Sequence, residues 1–172
     1  MSSLDSVPIS SVMVRPVKTV RENDTVQRAC EVMIQNKIGS VIVEKQATTS
    51  NAMPVGIVTE RDIVRCGAER PISFKDPIDQ IMSKPIVTIH PNGSLRDALQ
   101  TMQSRDIRRL IVATDNASNM VGIITDKDII RFIARNQSVA STFVNEQVLA
   151  RNREMAEQFS TSLLDDLIYR RN

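Results

Sequence analysis

At 172 residues the chain is long enough for one compact domain, or for two small units that share a core. Hydrophobic residues make up 41% and charged residues 24%, as in an ordinary globular protein, and the net charge is only +2. This small charge gives no overall field for nucleic acid or an anionic membrane, and 3% aromatic residues argue against a base-stacking surface.

The N-terminus and the cysteines point to the cytoplasm. Residues 1–11 lack the basic and apolar regions of a signal peptide. No apolar run approaches the roughly 20 residues that span a bilayer. Cys30 and Cys66 are far apart and belong to no CxxC pair, which is typical of reduced thiols. We therefore expect a soluble cytoplasmic protein without a membrane partner.

The second half of the sequence repeats the first at a nearly constant offset. The offset is 69 residues at first, and it becomes 66 after a loop that is three residues shorter in the second copy. The identical pairs are Pro8/Pro77, Ile9/Ile78, Met13/Met82, Pro16/Pro85, Thr19/Thr88, Ala29/Ala98, Met33/Met102, Ile38/Ile107, Gly56/Gly122, Thr59/Thr125, Asp62/Asp128 and Arg65/Arg131. So many ordered identities indicate two copies of one unit. The predicted divisions are a tail (1–6), two repeats (7–69 and 70–135) and a C-terminal helical extension (136–172).

Each repeat opens with a short strand and a helix. The strands are predicted at 17–20 and 86–89, each directly after a proline. The helices carry apolar residues at helical spacing: Val26, Ala29, Cys30 and Met33 in the first repeat, and Leu95, Ala98, Leu99 and Met102 in the second. Asp24 and Ser94 precede these runs as the predicted N-caps, because a side-chain oxygen there accepts from the free N–H groups of the first turn.

Two strands and a second helix complete each repeat. The strands are predicted at 40–44, 54–59, 109–113 and 120–125, and their β-branched runs favour burial on both faces. The second helix begins at Glu60 in the first repeat and at Asp126 in the second. Its predicted buried residues are Ile63, Val64, Ile129, Ile130, Phe132 and Ile133.

One such repeat alone buries too little surface to form a stable domain. We therefore predict an α/β (α+β) fold in which tandem β-α-β-β-α repeats pack with pseudo-twofold symmetry, followed by the C-terminal helical extension. One helix or two form this extension, and its apolar face packs on its own repeats or in a dimer. The residues of that face are Val144, Val148, Leu149, Met155, Phe159, Leu163, Leu164, Leu167 and Ile168.

The most specific sequence feature is a heptad present once in each repeat, at 56–62 and 122–128: glycine, two apolar residues, threonine, and aspartate three positions later. The threonine is the predicted N-cap of the next helix, whose free N–H groups and positive dipole end suit phosphate. The aspartate points back over the same opening, where its carboxylate can accept from both hydroxyls of a ribose. Threonine and aspartate at this spacing also form a capping box that needs no ligand, and one pair can do both. The residues concerned are Thr59, Asp62, Thr125 and Asp128.

On these heptads and the aligned repeats, residues 7–135 resemble a tandem of CBS domains, the paired arrangement called a Bateman module. The resemblance implies a regulatory module that binds AMP, ADP or ATP in the cleft between its two domains. A regulated partner protein, which the sequence does not identify, reads the occupancy. Other adenosyl compounds, S-adenosylmethionine among them, stay open, as does Mg²⁺ beside a polyphosphate. The resemblance also implies a disc-like homodimer.

The resemblance further implies which residues surround the ligand. Backbone groups of the first short strand and apolar residues near the start of the next strand hold the adenine. Carried over to this sequence, they are Val17, Lys18, Thr19, Ile38 and Gly39 from the first repeat, and Ile86, Val87, Thr88 and Ile107 from the second. For Ile38 and Ile107 a plain core role is an equal alternative.

The two repeats differ in their basic residues. Arg108 and Arg109 stand where the family has a basic residue ahead of a strand, and the first repeat has Gly39 and Ser40 there. Because neighbouring strand residues face opposite ways, only one arginine enters the cleft. The alignment favours Arg109, whose guanidinium fits phosphate bidentately. Two further candidates, either phosphate ligands or solvated helix side chains, are Arg61 and Lys127. The two sites are therefore not expected to be equivalent.

Catalysis is not predicted. His90 is the only histidine, and the sequence has no P-loop, no GxGxxG and no HExxH spacing. We expect no enzyme activity, no catalytic residue, no metal site and no catalytic cofactor. Two alternatives to a sensor remain. A structural or dimerisation module with degenerate clefts is one, although both heptad aspartates are intact. A nucleic-acid-binding CBS protein is the other, although the small net charge argues against it.

Overall fold

Two copies of a β-α-β-β-α unit make up most of the chain. The computed structural model describes residues 4–46, 52–69, 73–114, 119–148 and 150–151. In chain order the elements are β1 (Thr19–Arg21), α1 (Val26–Asn36), β2 (Ser40–Gln46), β3 (Ala52–Thr59), α2 (Glu60–Glu69), β4 (Thr88–Ile89), α3 (Leu95–Ser104), β5 (Arg109–Ala113), β6 (Met120–Thr125) and α4 (Asp126–Arg135). A fifth helix, α5, covers 137–148. A 3-10 turn precedes each unit, at Ile9–Ser11 and Ile78–Gln80.

Each unit has its own three-stranded sheet. The strand orders are β1-β2-β3 and β4-β5-β6, with the first pair of strands parallel and the second pair antiparallel in both sheets. Even the irregularity of the second pair recurs, between Val43 and Glu44 and between Val112 and Ala113. The predicted tandem fold is confirmed. The edge strands β1 and β4 begin at Thr19 and Thr88, two residues later than predicted.

The central strands lie inside the molecule. The middle residues of β2 and β5 are buried on both faces, as the β-branched runs predict: Val41, Ile42 and Val43, and Leu110, Ile111 and Val112. In β3 and β6 the fully buried residues alternate instead with half-buried ones. Strands buried throughout occur where both faces of a sheet are covered. One apolar cluster forms around each sheet.

The two repeats exchange the segments that open them. Ile9, from the first repeat, is fully buried in the cluster of the second sheet, and Ile78, from the second repeat, is fully buried in that of the first. The N–H of Ile9 donates to the carbonyl of Gly93, and the N–H of Ile78 donates to the carbonyl of Asp24, both at 2.8 Å. Leu4, in the predicted tail, is also buried in the second cluster. Neither core is complete without the opening segment of the other repeat, and the domain boundaries at 7–69 and 70–135 stay a prediction.

The predicted N-cap of α1 is wrong by one residue. Thr25, with an extended backbone, precedes the first helical residue, and its Oγ1 accepts from the N–H of Arg28 at 3.2 Å. Asp24 lies one position too early and accepts instead from the N–H of Arg21 in the preceding turn. Ser94 is the N-cap of α3, as predicted.

The prediction that both residues of the first apolar pair in α2 and in α4 are buried is also wrong, whereas Phe132 and Ile133 of α4 both pack against the second cluster. Ile129 is fully buried and Ile63 packs against the first cluster, but Val64 is 72% exposed and Ile130 is 62% exposed. Adjacent residues of a helix point about 100° apart, so only one residue of each first pair faces the sheet.

The start of the C-terminal extension packs on the second repeat through residues that the predicted apolar face did not include. Val139 is buried in the second cluster and Phe143 packs against it, whereas Val144 and Val148 are more than half exposed. The predicted alternative in which Val144 and Val148 pack on their own repeats is therefore wrong, because they lie on the side of α5 opposite to Val139. The remaining predicted residues, Leu149 and those from Met155 onward, lie outside the described residues. Over the described residues, no helix is long and apolar enough to cross a membrane.

Candidate functional site

The segment that opens the first repeat crosses from the second sheet to the first. Val14 forms an antiparallel bridge with Ile123 of β6, with N–O distances of 2.8 and 3.2 Å. Four residues later the carbonyl of Lys18 accepts from the N–H of Ile42 in β2 at 3.1 Å. The predicted adenine-binding residues Val17, Lys18 and Thr19 therefore lie where this crossing reaches the first sheet.

The segment that opens the second repeat makes the reverse crossing. Ser83 bridges Ile57 of β3, with N–O distances of 2.8 and 3.1 Å, and the carbonyl of Val87 accepts from the N–H of Ile111 in β5 at 3.0 Å. The predicted residues 86–88 lie at its end. Each predicted cleft is thus bordered by both repeats, because the strand that ends in a heptad threonine is flanked by the other repeat's opening segment.

These crossings explain the heptad glycines. A Cβ at Gly122 would lie 2.6 Å from Sδ of Met13, and one at Gly56 would overlap Sδ of Met82. Met13 and Met82 are equivalent residues of the two crossing segments. Glycine is needed here for close approach of another segment rather than for an unusual backbone angle.

In the first heptad, Thr59 and Asp62 cap α2. The Oδ2 of Asp62 accepts from the N–H of Thr59 at 2.9 Å and from its hydroxyl at 2.7 Å, while the N–H of Asp62 donates to Oγ1 of Thr59 at 3.2 Å. The Oδ1 accepts from Nη2 of Arg65 at 3.0 Å and from the hydroxyl of Ser83 at 3.1 Å. Asp62 is 5% exposed, and four hydrogen bonds compensate the burial of its charge.

In the second heptad, Thr125 and Asp128 form the equivalent capping box on α4. The Oδ2 of Asp128 accepts from the N–H of Thr125 at 3.1 Å and from its hydroxyl at 2.5 Å, and Oδ1 accepts from Nη1 of Arg131 at 3.1 Å. Val14 stands at the position of Ser83 and offers no hydroxyl. The capping role of both pairs is confirmed, and their ligand role stays a prediction.

The predicted arginine faces the other repeat. Arg109 begins β5 opposite Thr125, and its Nη1 donates to the carbonyl of Gly39 at 2.7 Å. Burial lowers the pKa of Arg109, and three carboxylates oppose this effect: those of Asp126, Glu60 and Asp62. A half-buried guanidinium thus lies between the two heptads. The alignment of the repeats favoured it over Arg108, and Arg108 is exposed.

The remaining predicted site residues either pack in the apolar clusters or are exposed on helices. Ile38 packs against the first apolar cluster and Ile107 against the second, in agreement with a core role. Arg61 and Lys127 are exposed on the first turns of α2 and α4. Sequence reasoning missed Ser83, although aligning it with Val14 would have revealed the extra hydroxyl beside the first heptad.

No catalytic or metal-binding arrangement is found among the described residues. They contain no group of three or more His, Cys, Asp and Glu side chains that could hold a metal ion. The Nδ1 of His90 accepts from the N–H of Asn92 in a surface turn. Cys30 and Cys66 belong to the first core and are not disulfide-bonded, and burial raises the pKa of the Cys30 thiol.

Paired β-α-β-β-α repeats with exchanged opening segments, and a Thr–Asp cap after the last strand of each, define a protein built from two repeated domains. The sequence model of the CBS domain matches residues 9–69 and 78–135. The chain belongs to the CBS domain family.

Similar proteins support the same assignment. The CBS domain-containing protein YhcV of Bacillus subtilis is 32% identical over 137 residues, which cover 80% of this chain and 93% of YhcV. The uncharacterized protein MJ1404 of Methanocaldococcus jannaschii is 32% identical over 139 residues, which cover 73% of this chain but only 32% of that longer protein. Among solved structures, the CBS domain protein PAE2072 from Pyrobaculum aerophilum, complexed with AMP, has a TM-score of 0.63 at 25% identity and covers 71% of this chain and 89% of PAE2072.

Proposed function

We propose that this chain is a non-catalytic regulatory sensor that binds AMP, ADP or ATP between its two CBS domains and transmits occupancy to a partner protein. The observation that carries the proposal is the pair of Thr–Asp caps, each beside a cleft lined by both repeats. The AMP complex of the similar protein PAE2072 supports an adenine nucleotide as the ligand class.

The second cleft has the groups that a nucleotide requires. The N-terminus of α4 offers free N–H groups and the positive end of the helix dipole to a phosphate beside Thr125. The carboxylate of Asp128 is held in place by its capping bonds to Thr125. Its other oxygen accepts from Arg131, whose side chain is 57% exposed and can turn away into solvent. That oxygen is then available to the hydroxyls of a ribose.

The test is calorimetric titration of the full chain with AMP, ADP and ATP, with and without Mg²⁺, on the wild type, Asp62→Ala and Asp128→Ala. Asp97→Ala is the matched control, because Asp97 forms the same capping box with Ser94 on α3 and belongs to neither heptad. We expect saturable binding that one of the heptad variants loses and the control keeps. Absence of heat with all three nucleotides, in a folded wild type, would contradict the proposal and leave a purely structural module.

We further propose that the partner contact includes a second copy of the chain. Val64 of α2 and Ile130 of α4 occupy equivalent positions of the two repeats and are both more than half exposed. Two apolar side chains related by the pseudo-twofold axis suit a symmetric interface, because an isologous contact uses the same surface twice. Light scattering should give twice the chain mass for the wild type and for Ile34→Lys, a control at another exposed apolar site on α1. It should give a monomer for Val64→Lys with Ile130→Lys, and a monomeric wild type would refute the dimer.

A further inference from the structure

Only one of the two equivalent strand starts beside the heptads carries an arginine. Arg109 begins β5 with its Cα opposite Thr125 of β6. In the first repeat the same place, at the start of β2 and opposite Thr59, is filled by Ser40. The pseudo-twofold symmetry of the backbone is therefore broken at the residue best suited to bind a phosphate.

The guanidinium of Arg109 lies at the junction of the two repeats. Its Nη1 donates to the carbonyl of Gly39 at 2.7 Å, although Arg109 itself belongs to the second sheet. The charged groups that act on it come from both repeats: Asp126, Glu60, Asp62 and Arg108. Among the ion pairs that the described residues form within 4.0 Å, none includes Arg109. The guanidinium of Arg109 therefore donates to a neutral carbonyl and can exchange this bond for one to an anion.

The two heptad carboxylates also differ, because Asp128 accepts fewer hydrogen bonds than Asp62. A carboxylate has about four lone-pair positions. Those of Asp62 are filled by four hydrogen bonds, one of them from Ser83. Asp128 accepts three, because Val14 stands where the first cleft has Ser83. A ribose hydroxyl approaching Asp62 must displace a donor from a nearly unexposed carboxylate, whereas Asp128 keeps one position open.

We propose that each chain binds one phosphorylated adenosyl ligand, in the cleft of Asp128, and that its phosphate takes Arg109 away from the carbonyl of Gly39. The inference rests on the proposed function and adds the site, the number of ligands and the contact that binding breaks. A second phosphorylated ligand, at Asp62, would have to compete for the same arginine and finds no open position on its carboxylate. An adenosine without phosphate does not depend on Arg109.

Calorimetric titration of the full chain with AMP, and with adenosine as the matched ligand without phosphate, tests the inference. We expect one AMP per chain in the wild type. Arg109→Gln should weaken AMP binding by about tenfold and leave adenosine binding unchanged, because a bidentate bond to a phosphate is stronger than the single bond to the neutral carbonyl of Gly39 that it replaces. Arg105→Gln, which removes an exposed arginine at the end of α3, controls for net charge. Equal loss of AMP and adenosine in Arg109→Gln would overturn the inference.

The stoichiometry separates this inference from the proposed function. Two equivalent AMP molecules per wild-type chain would leave the nucleotide sensor intact and overturn the single-site inference, whereas no AMP binding would overturn both. A second variant makes the first cleft resemble the second: Ser40→Arg supplies the missing cation and Ser83→Val frees a position on Asp62. This double variant, checked for folding by circular dichroism, should bind two AMP molecules per chain. If it still binds one, the shared arginine does not limit occupancy.

Discussion

Replacing Ile9 with alanine tests the exchange of opening segments. Ile9 is fully buried, and its neighbours in the second apolar cluster include Leu95, Ala98 and Ile129. Truncating a buried isoleucine to alanine costs about 2–5 kcal/mol in lost transfer energy and cavity formation. Against a total stability of about 5–15 kcal/mol, this loss moves the urea midpoint clearly. The loss of stability should fall on the second repeat although Ile9 belongs to the first.

Hydrogen exchange read by mass spectrometry locates the loss. In Ile9→Ala we expect faster exchange in α3, β5, β6 and α4, with α1, β2 and β3 changed less. Ile78→Ala is the matched variant, because Ile78 is equally buried in the first cluster, and it should show the reverse pattern. The reasoning is refuted if Ile9→Ala loosens the first sheet and leaves the second protected.

Two glycine substitutions should change the free energy of unfolding in opposite directions. Gly56→Ala must push Met82 aside and should lower the free energy of unfolding by about 1–3 kcal/mol, measured with urea. Gly67→Ala, in α2 with open space around it, should raise it by about 0.5–1 kcal/mol, and equal effects would contradict the close-approach argument. The capping bonds from Ser94 lower the pKa of Asp97 from its usual 3.8, so its contribution to stability is present above that pH and is lost as the pH falls through the lowered value. The urea midpoint of Asp97→Asn should therefore lie below that of the wild type at pH 7 and approach it as the pH falls below 3.8, and a constant gap would refute the assignment.

The repeat, the order of elements and the starts of α2 and α4 were predictable because local chemistry determines them. Threonine with an aspartate three positions later ends a strand and begins a helix in both repeats, and the structure has the predicted capping bonds. Strand alternation showed that only one of Arg108 and Arg109 can face the other repeat, and the alignment favoured Arg109. The family resemblance identified the heptads as the candidate site before any contact was known.

Long-range contacts were not predictable. The repeat pairs Ile9 with Ile78 as equivalent residues, but it does not say which of the two similar cores each of them joins. The exposure of Val64 and Ile130 was missed because two adjacent apolar residues in a short helix do not show which of the two faces the sheet. Ser83 was missed because its partner, Asp62, is 21 residues away and in the preceding repeat.

The exchanged segments and Arg109 give ligand binding a physical route between the repeats. A ligand shifts two arrangements only by its differential affinity for them. If a phosphate takes Arg109, the arrangement held by the bond to Gly39 loses a charge-assisted hydrogen bond, worth about 1.5–3 kcal/mol. Gly39 also accepts from the N–H of Glu60 at 3.3 Å, so the carbonyl joins the start of β2 to the start of α2. Because α2 carries the exposed Val64, we expect a change at Gly39 to reach the surface proposed for the partner chain through this one helix.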